Sequence, residues 1–145
     1  MKISTKGRYG LRAMVDLAVS SANEHIPLGS IAESQEISVS YLEQVFSALR
    51  KTGLVKSMKG AQGGYVLGSK PQNITVGMIL RTLEGDLSVI EEQGEDLDNV
   101  QYCIKKNVWD KMNSCIEKVV DSITLEDLAK EFRKLNGSDH YMYYI

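Results

Sequence analysis

From Leu28 to Leu67 the chain reads LGSIAESQEISVSYLEQVFSALRKTGLVKSMKGAQGGYVL. Leu28 to Gln35 has the spacing of a short helix, which pauses at Glu36 and Ile37. Ser38, a good N-cap, restarts a second helix whose apolar residues Leu42, Val45, Phe46 and Leu49 share one face. Thr52-Gly53 closes that helix. Two strand-like runs follow, 54–58 and 65–67, joined by Lys59-Gly60-Ala61-Gln62-Gly63-Gly64, a connection only a loop accommodates. Two short helices around a tight turn, then a hairpin, is the order of a winged helix-turn-helix. Ala32 is small where the helices should touch, and Ile31, Ile37, Leu42 and Val45 supply apolar contacts that hold the pair at a steep angle. Glu36 stands where such turns often have glycine. The expected fold class is therefore mainly α with a small β-hairpin wing.

Away from its apolar stripe, the second helix carries Ser38, Ser40, Tyr41, Gln44, Ser47 and Lys51, side chains of the right kind for base edges and phosphate oxygens. Lys56 and Lys59 lie beside Gly60, Gly63 and Gly64, whose missing side chains let backbone approach a groove or a phosphate. At the start of the chain Lys2, Lys6, Arg8 and Tyr9 add charge and a planar ring near a first helical turn, where backbone amides also favour phosphate. Each feature has an ordinary reading as a hairpin turn or a solvated face. Their concurrence in one basic half points to DNA.

That half is basic by count. Residues 1–70 hold 9 Lys and Arg against 5 Asp and Glu, and residues 71–145 hold 8 against 14, so the net charge of -2 hides two unlike parts. A positive first half suits a polyanion, and an acidic second half is repelled by one. The 145 residues, 43% apolar, are enough for one domain that buries roughly 70% of its unfolded surface without disulfides or a structural metal. Two cysteines, Cys103 and Cys115, fit a reducing compartment. Residues 1–12 carry four cations and no apolar signal region, and no run reaches the roughly 18 apolar residues of a membrane span. A cytoplasmic protein with no membrane partner is expected.

Outward from the wing, Thr5 is read as the cap of a helix reaching about Ser21, and Thr75 as the cap of one ending near Leu83, stopped by Glu84-Gly85. Residues 86–99 form an acidic linker with five carboxylates after Asp86. Apolar residues at 100, 104, 108, 112, 116, 119 and 123 mark a long amphipathic helix that needs something to lie against. Thr124, with Asp127 three residues on, caps a last helix that gives way to a tail ending Tyr141-Met142-Tyr143-Tyr144-Ile145. The expected organisation is a DNA-binding domain over 1–85, the linker over 86–99, dimerisation helices over 100–135 and a C-terminal tail over 136–145.

The segments Met1-Lys2-Ile3-Ser4-Thr5-Lys6-Gly7-Arg8-Tyr9-Gly10, Tyr41-Leu42-Glu43-Gln44, Gly60-Ala61-Gln62-Gly63-Gly64-Tyr65-Val66-Leu67 and Ile123-Thr124-Leu125-Glu126-Asp127-Leu128 resemble the Rrf2 family of bacterial winged-helix transcription regulators, across nearly the whole chain. The resemblance implies a homodimer whose long helices pack together and whose two recognition helices and wings read a pseudo-palindromic operator in double-stranded DNA. It implies that Ser38, Ser40, Tyr41, Gln44 and Arg50, and the wing residues Lys59 to Gly64, face that DNA. Repression is the family's more common outcome.

Many members hold an iron-sulfur cluster on three closely spaced cysteines, and this chain departs from that pattern. Cys103 resembles the last of the three, but Glu91, Glu92, Gln93, Gly94, Glu95 and Asp96 precede it, and Lys106 stands where some members have His. A cluster wants four thiolates or close substitutes. Cys115 lies twelve residues from Cys103, roughly 18 Å along a helix, too far to complete the set or to form a disulfide. No cofactor is therefore expected. Both thiols are read as buried or half-buried, against the alternative of a redox-sensing Cys103 whose thiolate is favoured by Lys105 and Lys106.

The tail offers a signal in place of the cluster. Its aromatic residues and terminal Ile resemble the ending of the cluster-free branch of cysteine-metabolism repressors, whose sensing partner is O-acetylserine thiol-lyase. They also resemble the tail by which serine acetyltransferase enters that enzyme's active site. On this resemblance Tyr143, Tyr144 and Ile145 dock in the thiol-lyase, in competition with O-acetylserine; otherwise the tail folds back on its own dimer. Rival readings are a regulator sensing redox, nitric oxide or iron-sulfur status, and a winged-helix module that binds only protein. An enzyme is disfavoured, since His25 and His140 sit in a loop and in the tail, and Gly60 to Gly64 lacks the Lys-Ser/Thr of a phosphate-binding loop.

Overall fold

A computed structural model of the chain describes residues 2–20, 24–61 and 63–142, with residues 138–142 described by their backbone alone. Its elements are α1 (Thr5–Ser20), α2 (Leu28–Gln35), α3 (Val39–Lys51), β1 (Val55–Met58), β2 (Gly64–Leu67), a 3-10 turn (Pro71–Asn73), α4 (Val76–Glu84), α5 (Asn99–Ile104), a π turn (Lys105–Trp109), α6 (Asp110–Ser122) and α7 (Leu125–Met142). α5, the π turn and α6 run on without a break as one stem over residues 99–122.

The helix pair forms as its punctuation requires. Ser38 takes an extended conformation and its hydroxyl accepts the Tyr41 N–H at 3.2 Å, satisfying one of the amides a helix start leaves free. Glu36, at the position where glycine is common, has φ 55° and directs its N–H to the carbonyls of Ala32 and Glu33. A side chain in that left-handed conformation costs about 1 to 2 kcal/mol, which packing of the two helices must offset. Ile31 and Ala32 of α2 and Leu42, Val45, Phe46 and Leu49 of α3 are buried together with Ala13, Met14 and Leu17 of α1.

β1 and β2 are antiparallel, with Val55 opposite Leu67 and Met58 opposite Gly64. A bridge from Ile26 to Tyr65, with N–H···O bonds of 2.9 and 2.8 Å, adds a third strand position and ties the hairpin to the entry of α2. The Tyr65 ring lies 4.8 Å from that of Phe46, so the wing is anchored in the core of the helix pair.

α4 is capped by Thr75, whose hydroxyl accepts the Met78 N–H at 3.1 Å. A second bridge joins Thr75 to Thr124, and Leu125 and Ala129 of α7 are buried in the same core as α1 and α3. The start of α7, grouped by sequence with the dimerisation helices, therefore packs into the winged-helix body.

Three local expectations are corrected. Thr5 is the first residue of α1 and not its cap; that task falls to Ser4 and a distant carboxylate. The last helix does not give way at residue 136 but continues to Met142. Cys103 and Cys115 are both exposed, Cys115 at an open apolar cavity that it lines with Leu80 and Leu87.

Candidate nucleic-acid interface

At about 100° per residue, Ser40, Gln44, Ser47 and Lys51 fall within roughly 60° of one another, opposite the buried stripe of α3. Ser40, Gln44 and Lys51 are exposed and Ser47 is half-buried. They form one polar ridge of hydrogen-bonding groups. Exposed Arg50 lies on one flank of the ridge beside Glu43, a negative charge that the sequence reading passed over. Ser38 is exposed at the start of the helix, with its hydroxyl already engaged as the cap.

Tyr41 lies on the other flank, half-buried, its ring edge-on to that of Tyr9 at 5.9 Å and 75°. The Arg12 guanidinium sits 5.0 Å from the centre of the Tyr9 ring and donates to the Gln35 carbonyl at 2.5 Å. Arg12 therefore closes the C-terminus of α2 from a neighbouring helix. This cluster fixes the angle between α1 and the helix pair, and gives Tyr9 and Tyr41 a packing role beside any contact they make with DNA. Sequence reading counted Arg12 only as a charge; its partner lies 23 residues away, beyond any local signal.

The start of α1 differs from expectation. Its amides are expected to favour phosphate, but a carboxylate of the chain, Glu84, already sits there, accepting the Ser4 N–H at 3.1 Å, the Gly7 N–H at 3.0 Å and the Ser4 hydroxyl. The Ser4 hydroxyl, with the Ser4 and Gly7 amides, holds the Glu84 carboxyl below the usual glutamate range against a desolvation that opposes it. A Cβ on Gly7 would push that carboxylate from its present position. Lys2 and Arg8 remain exposed and Lys6 half-buried, so this end offers side-chain charge and not an amide pocket. Arg8 also bonds the Thr5 hydroxyl at 3.1 Å.

In the wing Lys56, Lys59 and Gly60 are exposed. The Gly63 N–H donates to the Gly60 carbonyl at 3.0 Å, closing the tip, and Gly60 has φ 116° with open space around it. A Cβ on Gly63 would strike the Met58 carbonyl, and one on Gly64, whose φ is 153°, would strike the backbone of Ile26 and Pro27. Packing thus accounts for these two glycines, while the tip leaves its backbone bare beside two lysines. Gln62 lies outside the described residues, as do Tyr143, Tyr144 and Ile145.

At the stem, Lys105 Nζ pairs with Asp110 at 3.0 Å, so its charge is already matched there, and Asn107 donates to the Cys103 carbonyl at 2.8 Å. Among the described residues no three His, Cys, Asp or Glu side chains converge closely enough to hold a metal ion, and no helix is long and apolar enough to cross a membrane.

Residues 3–131 match the family described as Rrf2, iron-dependent transcriptional regulator. The chain is 47% identical over 145 residues, the full length of both proteins, to the HTH-type transcriptional regulator CymR of Bacillus subtilis. It is 39% identical over 140 residues to the HTH-type transcriptional regulator IscR of Pectobacterium atrosepticum, covering 96% of this chain and 85% of that protein. The solved structure of CymR, described as the global cysteine regulator of B. subtilis, superposes with a TM-score of 0.79 at 48% identity, over 90% of this chain and 98% of that one. The family description is iron-dependent, and Cys103 and Cys115, twelve residues apart on the stem, do not fit the iron-sulfur group that the resemblance associates with many members.

Proposed function

The chain belongs to the Rrf2 family of transcriptional regulators, DNA-binding proteins and not enzymes, and on that premise we propose that it is a homodimeric repressor of cysteine and sulfur metabolism genes, signalled by O-acetylserine thiol-lyase. Full-length identity of 47% to CymR supports this reading, and what separates it from a cluster-dependent one is that Cys103 has no neighbouring cysteines in the sequence. The departure from an iron-sulfur donor set agrees with it. In this reading Ser40, Gln44 and Tyr41 meet base edges, and Lys2, Arg8, Arg50, Lys51, Lys56 and Lys59 meet phosphates, with the wing backbone at Gly60, Gly63 and Gly64 close to the duplex. Lys6, Tyr9, Ser38 and Gln62 complete the proposed surface. Two copies related by a two-fold axis would read a pseudo-palindrome with half-sites about one DNA turn apart, or a multiple of it.

The residues Tyr143, Tyr144 and Ile145 are proposed to dock in the thiol-lyase, where O-acetylserine would displace them. Calorimetric titration of the full chain into purified thiol-lyase should give tight binding, abolished by O-acetylserine or by removal of Tyr144 and Ile145. Binding unchanged by the truncation would remove the tail from the proposal, and no binding at all would return the signal to an unknown source.

A further inference from the structure

Resting on the homodimer reading, we infer that Arg81 and Asp121 are positioning residues that set the half-site spacing this protein accepts in its operator, by stopping the winged-helix body from turning on the stem. The Arg81 guanidinium on α4 grips the Asp121 carboxylate on α6 with two parallel bonds, Nη1 to Oδ1 at 2.6 Å and Nη2 to Oδ2 at 3.0 Å, across 40 positions of sequence. The two side chains are 41 and 46% exposed, so the pair adds little to stability. What a fork of this kind adds is direction, since both bonds form only when the planes of the two groups are aligned.

The other attachments between body and stem leave that direction free. Ile116, Val120 and Ile123 pack on Val76, Leu80 and Leu87, a non-directional apolar contact over which one helix can slide on the other. The Thr75–Thr124 bridge, with bonds of 2.9 Å from Val76 to Ile123 and from Leu125 to Ile74, is a pivot at one end of α4. Asn113 of the stem holds Ser88 and Val89, but these follow Gly85, whose φ of 82° marks a joint and not a continuation of the helix. The Arg81 Cα lies about 9 Å along α4 from the pivot, and its side chain reaches back over Gly77 to the carboxylate. Gly77 leaves the room for this: a Cβ there would lie 2.7 Å from Arg81 Nη1 and closer still to Asp121.

Whatever fixes α4 fixes the recognition helix. Ile79 and Leu83 of α4 are buried with Val45 and Leu49 of α3, and Glu84, three residues beyond Arg81, holds the start of α1. Body and α4 therefore turn together. In a homodimer the stems carry the pairing, so the angle between body and stem decides where the two α3 helices meet DNA. Shifting a half-site by one base pair moves it about 3.4 Å and turns it roughly 35° about the duplex axis. A body hinged only at its pivot can follow such a shift, and a body locked by the fork cannot.

Fluorescence anisotropy tests this with duplexes carrying the paired half-sites that the wild-type chain selects from a random pool, remade with the half-sites one base pair closer or farther apart. Wild type should prefer its selected spacing by roughly 30-fold. Arg81→Met removes the fork, and Gly77→Ala displaces it while favouring the helix that carries it. Each should lower the preference to within about threefold, with affinity for a single half-site and the dimer seen by sedimentation unchanged. Lys105→Met removes the same charge from a pair that lies wholly within the stem, and should keep the full preference. The inference is overturned if either fork variant keeps the wild-type preference, if it loses affinity for every spacing and for a single half-site alike, or if Lys105→Met relaxes the spacing as well. A wild-type chain that selects no paired half-sites overturns the homodimer reading instead.

Discussion

Replacing Gly64 with alanine should detach the wing while sparing the helix pair. A Cβ at this position would lie 2.5 Å from the Ile26 carbonyl carbon and 2.8 Å from the Pro27 nitrogen, and closer still to the Ile26 oxygen. All three are backbone atoms, so no rotamer change relieves the clash and β2 must retreat by about 1 Å to reach ordinary contact. That movement breaks the two bonds between Ile26 and Tyr65, each worth about 1 kcal/mol net, and the φ of 153° adds about 1 to 3 kcal/mol of strain for any side chain. The wing is thereby destabilised by about 3 to 5 kcal/mol. The helix pair keeps its own buried residues and should remain folded. If Lys56 and Lys59 contact phosphates, each protomer loses two such contacts and a dimer four. The slope of log K against log salt then flattens by roughly 3 to 4, and affinity near 0.15 M salt falls by roughly 100- to 1,000-fold. Fluorescence anisotropy with a labelled operator across a salt series reads both quantities. An alanine variant with wild-type affinity and slope would refute the assignment of the wing to DNA.

Other substitutions separate the roles assigned to individual groups. Lys59→Ala should weaken binding to every duplex alike and reduce the salt slope, whereas Gln44→Ala should cost about 1 to 3 kcal/mol on the cognate operator only, measured by competition between operator and random DNA. Glu84→Gln should lower stability at pH 7 by about 1 to 2 kcal/mol, a fall in Tm of roughly 2 to 8 °C read by calorimetry, since three hydrogen bonds to a partly exposed carboxylate lose their charge. The folded Glu84 binds its proton less readily than the unfolded chain does. Its stabilisation is therefore complete above the ordinary glutamate value and is lost as pH falls through the lower folded value, so wild type and Glu84→Gln should converge in stability in acid. The double change Glu91→Gln with Glu92→Gln should leave the DNA salt slope unaltered, while Glu43→Gln should tighten binding to all sequences, as anisotropy would show.

Short-range signals were readable from the sequence because short-range physics sets them. Ser38 and Thr75 cap as expected, each accepting an N–H three residues on, and Thr124 exchanges bonds with Asp127. The buried residues of α3 are those its periodicity marked. Glu36 stood out as a departure from glycine, and the left-handed backbone there gives the reason glycine is common at that position. What escaped depends on residues far apart in the chain. Glu84 caps a helix that begins 79 positions before it, a separation at which neither residue type nor spacing carries a signal. Arg12 on the Gln35 carbonyl and Ile26 on Tyr65 are of the same kind. The π turn at Lys105–Trp109 was not read either, since the apolar spacing over 100–123 was taken as that of one long amphipathic helix.

A net charge of -2 argues against a polyanion as partner only if charge is spread evenly, and the fold sorts it. Most lysines and arginines of the first half sit on α3, the wing and around the start of α1, while Arg12 is turned to the Gln35 carbonyl and Lys70 lies beyond β2. The carboxylates of residues 86–98 belong to a segment fixed to the stem, where Asn113 accepts the Val89 N–H at 2.9 Å and donates to the Ser88 hydroxyl at 3.1 Å. Screening falls off over about 8 Å at physiological ionic strength, so a phosphate beside the wing is governed by the cations nearest it and not by the sum over the chain. The division of charge along the sequence is carried into space by the Thr75–Thr124 bridge and by the core that the start of α7 shares with α1 and α3.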